Sequence, residues 1–299
     1  TDLFIKERVN QLDFVLGDFR NIDLPTNVQT YIVDPPYNIN FNYRGGFEDK
    51  FTDEQYKKYH VDMLEIAYNT SLDNASMFLI NTPQNTLELY ETMKNSKWQY
   101  NQIINWIYPN NMGRNLQRFT PCTRYITWLV KSNYKKDIER LYQPYKEDSK
   151  KTRAMIAKGR LGANLYDWWE INLVKNVSPE KVDYANQIPK KLLKRLIITT
   201  TDEDDLVGDL NCGSGSTLLA ANELKRNAWG CDVNKDLIDL LQRPCLKCRR
   251  LFVPDKQERS HCAKHIPPKK KYKDTRNKGR RPYDDAEYRR NRKLIRKQQ

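Results

Sequence analysis

Short apolar runs and amphipathic stretches alternate along the first 242 residues. Residues 30–33 (TYIV) form a β-branched run that stops at Asp34-Pro35-Pro36, where paired prolines end a strand and fix an extended turn. From 53 to 68 the spacing becomes helical and sets Tyr56, Tyr59, Met63, Ile66 and Ala67 on one face. Residues 75–81, 102–108 and 125–130 read as further strands. Residues 189–199 carry an apolar stripe of Leu192, Leu193, Leu196 and Ile197 and read as an amphipathic helix. A strand at 205–210, a glycine turn, a helix at 216–224 and a strand at 228–233 follow. Strands alternating with helices predict an α/β domain, a mostly parallel twisted sheet with helices on both faces. Between 132 and 183 the periodicity weakens and Lys, Tyr and Asn accumulate. This stretch reads as an insertion lying over the sheet, in which Trp168 and Trp169 are packing residues.

Charge divides the chain differently. Its net charge is +14, but residues 243–299 hold 21 Lys/Arg against 6 Asp/Glu, so the excess belongs to that segment alone. A concentrated cationic stretch points to a polyanionic partner, nucleic acid first. No run of eighteen apolar residues suits a membrane span, and no basic leader with an apolar stretch opens the sequence. A cytoplasmic, DNA-associated location is therefore expected. Cys122, Cys212 and Cys231 are scattered, whereas Cys245-x2-Cys248-x13-Cys262-x2-His265 has the spacing of a tetrahedral Zn²⁺ site, with His261 as an alternative to His265. All four positions would be filled by protein, so such a site would be structural. His60 lies in a predicted helix and is expected at the surface or in packing. The chain thus divides into 1–242, a zinc knuckle at 243–268 and a basic tail at 269–299 suited to phosphate contact.

Two turns carry candidate chemistry. Asp34-Pro35-Pro36-Tyr37 directly follows a strand, and open α/β sheets bind ligands beyond the carboxyl ends of their strands. An aromatic amine is a poor nucleophile because its lone pair is delocalised. The Asp34 carboxylate and the Pro35 carbonyl can accept its two N–H bonds and draw the nitrogen toward tetrahedral geometry, while Tyr37 stacks on the base. The second turn, Asp209-Leu210-Asn211-Cys212-Gly213-Ser214-Gly215, joins a strand to a helix. Its glycines let backbone approach a ligand closely, and Asp232 ends the next strand where a carboxylate can bind ribose hydroxyls. Leu218 stands where a dinucleotide fingerprint would have its third glycine, and the lysine of a phosphate loop is missing. A nucleoside cofactor without a pyrophosphate fits better than NAD or ATP.

Together these turns resemble the β class of DNA amino-methyltransferases, in which the DPPY motif precedes the glycine loop; the resemblance spans about residues 10–240. Leu16-Gly17-Asp18-Phe19 resembles the family's opening segment. Arg118-Phe119-Thr120-Pro121, running into 125–131, resembles the strand after which target recognition begins. Gln187-Ile188-Pro189 resembles its Gln-Lys-Pro segment, with Ile188 in place of Lys and Tyr184-Ala185-Asn186 in place of His-Pro-Thr. Asn211-Cys212 replaces the usual Phe-Ala. The resemblance implies a Rossmann-like fold and S-adenosylmethionine as cofactor. It implies a cofactor pocket of Asp18, Phe19, Asp34, Gln187, Asp209, Asn211, Gly213, Gly215 and Asp232, and a catalytic turn of Asp34, Pro35, Pro36 and Tyr37. It also implies a flipped-out base in double-stranded DNA, target recognition within 132–183 and a loop at 38–46 that closes over the base. Homodimers occur in the family. Asp at the first motif position suggests adenine N6; cytosine N4, and a non-catalytic DNA-binding scaffold, are the alternatives. All of this requires the two turns to meet at one rim of the sheet.

Overall fold

The computed structural model describes residues 12–43, 47–113, 117–182, 184, 186–234, 243–244 and 251–252. Eight strands form the main sheet: β1 (Leu12–Leu16), β2 (Val28–Val33), β3 (Ser71–Asn81), β4 (Gln99–Ile107), β5 (Thr123–Val130), β6 (Trp168–Glu170), β7 (Leu206–Asp209) and β8 (Asn227–Asp232). Their order is β1-β8-β7-β2-β3-β5-β4-β6. β5 runs antiparallel to both of its neighbours, and the other pairings are parallel. Among the described residues no helix is long and apolar enough to cross a membrane.

The central strands are buried on both faces, and their side chains alternate between two cores. Ile32, Phe78 and Ile80 point into one, with Trp106, Trp128 and the apolar stripe of α2 (Lys190–Thr200). Tyr31, Val33, Met77 and Leu79 point into the other, with Met63 and Leu64 of α1 (Asp53–Thr70). This is the period-two alternation of a pleated strand applied to continuous apolar runs.

The crossovers place the site. α1 carries the chain from β2 to β3 on one face, while α3 (Ser216–Glu223) carries it from β7 to β8 on the other, packing Leu218 and Ala221 into the first core. β2 and β7 are neighbours, with Thr30 against Val207 and Tyr31 against Gly208. The chain therefore leaves these adjacent strands in opposite directions, which opens a crevice at their carboxyl ends. α1 starts in register with that crevice through a capping box: the Thr52 hydroxyl accepts from the Gln55 N–H at 3.3 Å and Gln55 Oε1 accepts from the Thr52 N–H at 2.9 Å. Tyr56, Tyr59 and His60 are buried on its inner face, with Ile66 half-buried. His60 is a packing residue, its Nδ1 2.9 Å from the Tyr56 carbonyl, and burial pushes its pKa down to about 4.

The structure departs from the sequence pattern in three places. β1 went unread because a half-exposed edge strand of five residues shows no clear period. The 132–183 stretch does not simply lie over the sheet, since it supplies edge strand β6, paired with Asn105–Ile107, and a small pairing of Tyr142–Gln143 with Ala163–Asn164. Alternation along β6 separates the tryptophans: Trp169 is buried with its indole N–H on the Tyr166 carbonyl, whereas Trp168 is exposed and stacks on the Tyr166 ring. Only Trp169 is a core residue. The proposed zinc ligands Cys245, Cys248, Cys262 and His265, and the alternative His261, lie outside the described residues, as does the 269–299 tail.

Candidate active site

A cleft of about 1000 Å³, counting the part open to solvent, lies over the carboxyl ends of β2, β7 and β8. Asp34 and Pro36 of the first turn line it, as do Asp209, Asn211 and Gly213 of the second; Asp18, Phe19 and Asp232 complete the sequence-derived set that reaches it. The two turns open onto one rim.

The glycine loop is held open from below. Gly213 (φ 45°) and Gly215 (φ 71°) take left-handed backbone that disfavours other residues. A Cβ at 213 would lie 3.0 Å from the Tyr184 hydroxyl oxygen, so the Tyr184 ring packs directly on the Gly213 backbone. Asp232 Oδ2 accepts the Gly213 N–H at 2.8 Å and its Oδ1 accepts the Asn234 N–H at 2.8 Å, tying the loop to the end of β8. Asp209 Oδ1 accepts the Asn211 N–H at 3.1 Å. Asn211 donates its amide to the Tyr59 hydroxyl at 2.6 Å, and its Oδ1 is buried without a partner among the described residues.

The first turn is fixed from behind. The Pro36 carbonyl accepts from Tyr56 Oη at 3.1 Å, and the Tyr37 carbonyl accepts from Asn85 Nδ2 at 2.8 Å. The Tyr37 hydroxyl donates to Asp34 Oδ1. Asp49, fully buried, accepts the backbone N–H groups of Tyr37 (3.2 Å), Asn38 (2.8 Å) and Ile39 (3.2 Å). Asn38 and Asn40 both adopt φ 56°, and Phe41–Tyr43 pairs with Phe47–Asp49. The 38–46 segment therefore starts as a pinned hairpin; residues 44–46 lie outside the described residues.

Electrostatically the cleft is short of positive charge. Burial raises the pKa of Asp34, against the opposing pull of Arg124 and the Tyr37 hydroxyl. Asp209 is pushed up to about 8 by burial, with Asp232 and Asp34 adding repulsion and Thr217 and the Asn211 N–H opposing. Burial also raises Asp232. Arg20, at the rim, is engaged with Asp18 through Nε–Oδ1 at 2.9 Å and Nη2–Oδ2 at 2.5 Å, above the rings of Phe19 and Tyr59. Buried Asp209 and Asp232 and half-buried Asp34, all with raised pKa values, favour a cationic ligand. The outer one, Asp34, can accept an N–H from a second molecule facing it.

Four sequence-derived residues do not line the cleft. Gln187 was expected to touch a cofactor, but its amide is spent on the neighbouring backbone, with Oε1 accepting the Val182 N–H at 3.0 Å and Nε2 donating to the Glu180 carbonyl at 2.7 Å. It holds the segment that brings Tyr184 to the cleft. Gly215 caps α3 and shapes the turn. Pro35 and Tyr37 sit in the turn's frame. Tyr37 was expected to offer its ring to a base; the Arg124 guanidinium lies over that ring, 4.9 Å from its centroid. Arg20, Asp49, Tyr59, Arg124 and Tyr184 were missed. Of these, only Tyr59, on the predicted helix face, and Tyr184, just ahead of Gln187, stood in stretches that the sequence singles out, and for other reasons.

A family model described as DNA methylase matches residues 28–243. The type II methyltransferase M.BglII of Bacillus subtilis is 26% identical over 258 residues, covering 79% of this chain and 69% of that protein. Among solved structures, the complex of M1.HpyAVI with SAM superposes with a TM-score of 0.54 at 18% identity over 76% of this chain and 96% of that one. The cytosine-N4-specific PvuII DNA methyltransferase gives 0.59 at 14% identity over 77% and 85%. At these identities the structural likeness is one of fold.

The Asp49 arrangement is open to test. Asp49→Ala leaves three backbone N–H groups without their acceptor, at about 1–3 kcal/mol for each that stays buried. Hydrogen exchange at Tyr37, Asn38 and Ile39 should accelerate and thermal stability should fall, with Asp49→Asn intermediate. Unchanged exchange at those amides would show that the hairpin is held by something else.

Proposed function

The chain belongs to the DNA methylase family, and from that premise we propose that it methylates the N6 amine of adenine in double-stranded DNA, with S-adenosylmethionine as methyl donor. That the chain is a DNA methyltransferase follows from the family match; base, cofactor and residue roles are the proposal. The observation that carries it is the single cleft shared by Asp34 and the Asp209–Gly213 turn.

S-adenosylmethionine supplies an electrophilic methyl group on a sulfonium. Two features of the cleft suit it: the orphaned Asn211 Oδ1 as acceptor, and buried carboxyl groups that gain from a cation. Asp18, Phe19, Asp209, Asn211, Gly213 and Asp232 would hold it. The target base must leave the stack to reach Asp34, at a cost of about a few kcal/mol. Asp34 Oδ2 and the Pro35 carbonyl then accept the two amine N–H bonds and localise the lone pair on nitrogen. Tyr37 occupies Oδ1 and so orients the carboxylate. After transfer the amine carries one proton too many, and Asp34 stands ready to receive it on the way to solvent. The acidic first position of the DPPY turn supports adenine over cytosine.

The remaining assignments rest on sequence. Residues 132–183 would read the target, the 269–299 tail would contact phosphates, and Cys245, Cys248, Cys262 and His265 would hold one structural Zn²⁺. Metal analysis of purified full-length protein should find one zinc per chain, lost in Cys245→Ser; none in the intact chain sinks that assignment.

Nucleoside mass spectrometry of DNA incubated with labelled S-adenosylmethionine should reveal N6-methyladenine, and Asp34→Ala should lower transfer by about a hundredfold or more while leaving DNA affinity largely intact. N4-methylcytosine would correct the base. Absence of both transfer and cofactor binding would favour the non-catalytic scaffold.

Proton linkage gives a separate check. With its pKa pushed up to about 8, Asp209 is mostly protonated at neutral pH in the free cleft. A sulfonium ligand favours the carboxylate, so binding should expel a proton. Calorimetry in buffers of different ionisation enthalpy should detect this release at neutral pH. Affinity should rise with pH and level off above about 8. Binding that is indifferent to pH across that range would count against Asp209 as a cofactor contact.

A further inference from the structure

Arg124 belongs to no motif discussed above, yet among the described residues it is the cation paired with Asp34. It stands near the start of β5, opposite Trp106 of β4, and its side chain is only 12% exposed. Its guanidinium lies 4.9 Å from the ring centroid of Tyr37, 5.5 Å from that of Trp106 and 6.0 Å from that of Tyr108. Two of these walls are locked by hydrogen bonds: Trp106 Nε1 donates to the Ile171 carbonyl at 2.7 Å and the Tyr108 hydroxyl to the Thr123 carbonyl at 3.2 Å. The open direction of the cage holds the Asp34 carboxylate, with Nη1 3.9 Å from Oδ2.

That distance matters. At 3.9 Å the pair attracts electrostatically in a poorly hydrated setting but lies beyond hydrogen-bond range. Arg124 therefore favours the anion without occupying Oδ2, the oxygen left after Tyr37 takes Oδ1. The same cation lies over the Tyr37 ring, where it draws electron density from the phenol and strengthens its O–H as a donor to Asp34. An apolar side chain would fill the cage without desolvating a guanidinium, so it is the charge that this position uses.

We propose that Arg124 is a positioning residue for methyl transfer, which holds Asp34 in its anionic, hydrogen-bond-accepting form and aligns it through Tyr37. The inference rests on the methyltransferase reading and adds to it a residue acting through Asp34. The groups facing Asp34 are Tyr37 on its own turn, Arg124 on β5 and Asp209 at the end of β7. Tyr108 lies against Arg124, and Asp49 lies against the amides that follow Asp34. Burial opposes ionisation of Asp34, and among these groups Arg124 supplies the only positive charge against it.

The test uses the full chain, with Arg124→Gln and Arg124→Lys. Single-turnover methyl transfer is followed across pH, S-adenosylmethionine affinity is measured alongside, and Asp34 is titrated by carboxyl carbon NMR, assigned through Asp34→Asn. Removing the cation raises the Asp34 pKa. The acid limb of the Arg124→Gln profile should therefore move up by about one pH unit, with a loss of about tenfold on that limb that is regained at higher pH. Cofactor affinity should stay within about twofold of the parent value, because Arg124 does not line the cofactor's part of the cleft. Arg124→Lys keeps charge but not the planar face, so its limb should stay near the parent position while its plateau rate remains low. A parent protein that transfers methyl groups, with a Gln variant whose limb and Asp34 titration do not move, overturns this inference alone. A parent protein with no transfer overturns the functional reading and this inference with it.

Discussion

β2 and β7 are separated by more than half the chain, yet they run side by side in parallel, with Tyr31 against Gly208. Their crossovers leave on opposite faces, α1 packing into one core and α3 into the other. Backbone cannot bridge the gap where two such connections diverge, so the carboxyl ends of these strands face an open crevice. Among the described residues, the candidate site is attached to that crevice. Asp34 follows the end of β2, Asp209 ends β7, and Asp232 ends β8 one strand further along. The apolar runs that pack these strands side by side are thus also what sets the distances between the carboxyl groups.

That placement has an electrostatic consequence. Desolvation raises the cost of ionising each acid, and Asp232 and Asp34 add repulsion at Asp209. The fold offsets this unevenly. Asp232 receives the Gly213 N–H of the loop it secures, Asp209 receives the Asn211 N–H, and Asp34 has the Tyr37 hydroxyl with a guanidinium at arm's length. The inner part of the cleft therefore suits a ligand that brings positive charge, while Asp34 keeps acceptor capacity for a group arriving from outside. A sulfonium donor and a neutral amine acceptor meet those two requirements at once.

The turn that bears Asp34 is rigid for reasons remote from it in sequence. Tyr56 of α1, Asn85 of the short helix at Pro83–Glu88 and Asp49 at the base of the hairpin each bind a backbone group of residues 36–39. α1 supports both turns, since Tyr56 reaches the Pro36 carbonyl and Tyr59 receives the Asn211 amide. A single amphipathic helix with a capping box therefore couples the geometry of the two halves of the site.

The sequence alone determined the class of fold, the positions of the main strands and helices, and the two turns with their acids. These are local properties: a run's apolar period and the residue that interrupts it are visible over ten or fifteen positions. Tertiary structure decided which side chains surround those acids. Arg124 is ordinary in a sequence, and only the pairing of β4 with β5 makes Trp106 and Tyr108 a cage for it. Asp49 is one acid among many until a hairpin folds it under three amides. Gln187 shows the reverse, a residue singled out by motif whose amide is used on nearby backbone and supports the site from outside. Motifs mark where chain must turn or bare its backbone, whereas partners across a sheet are chosen by packing that no local pattern encodes.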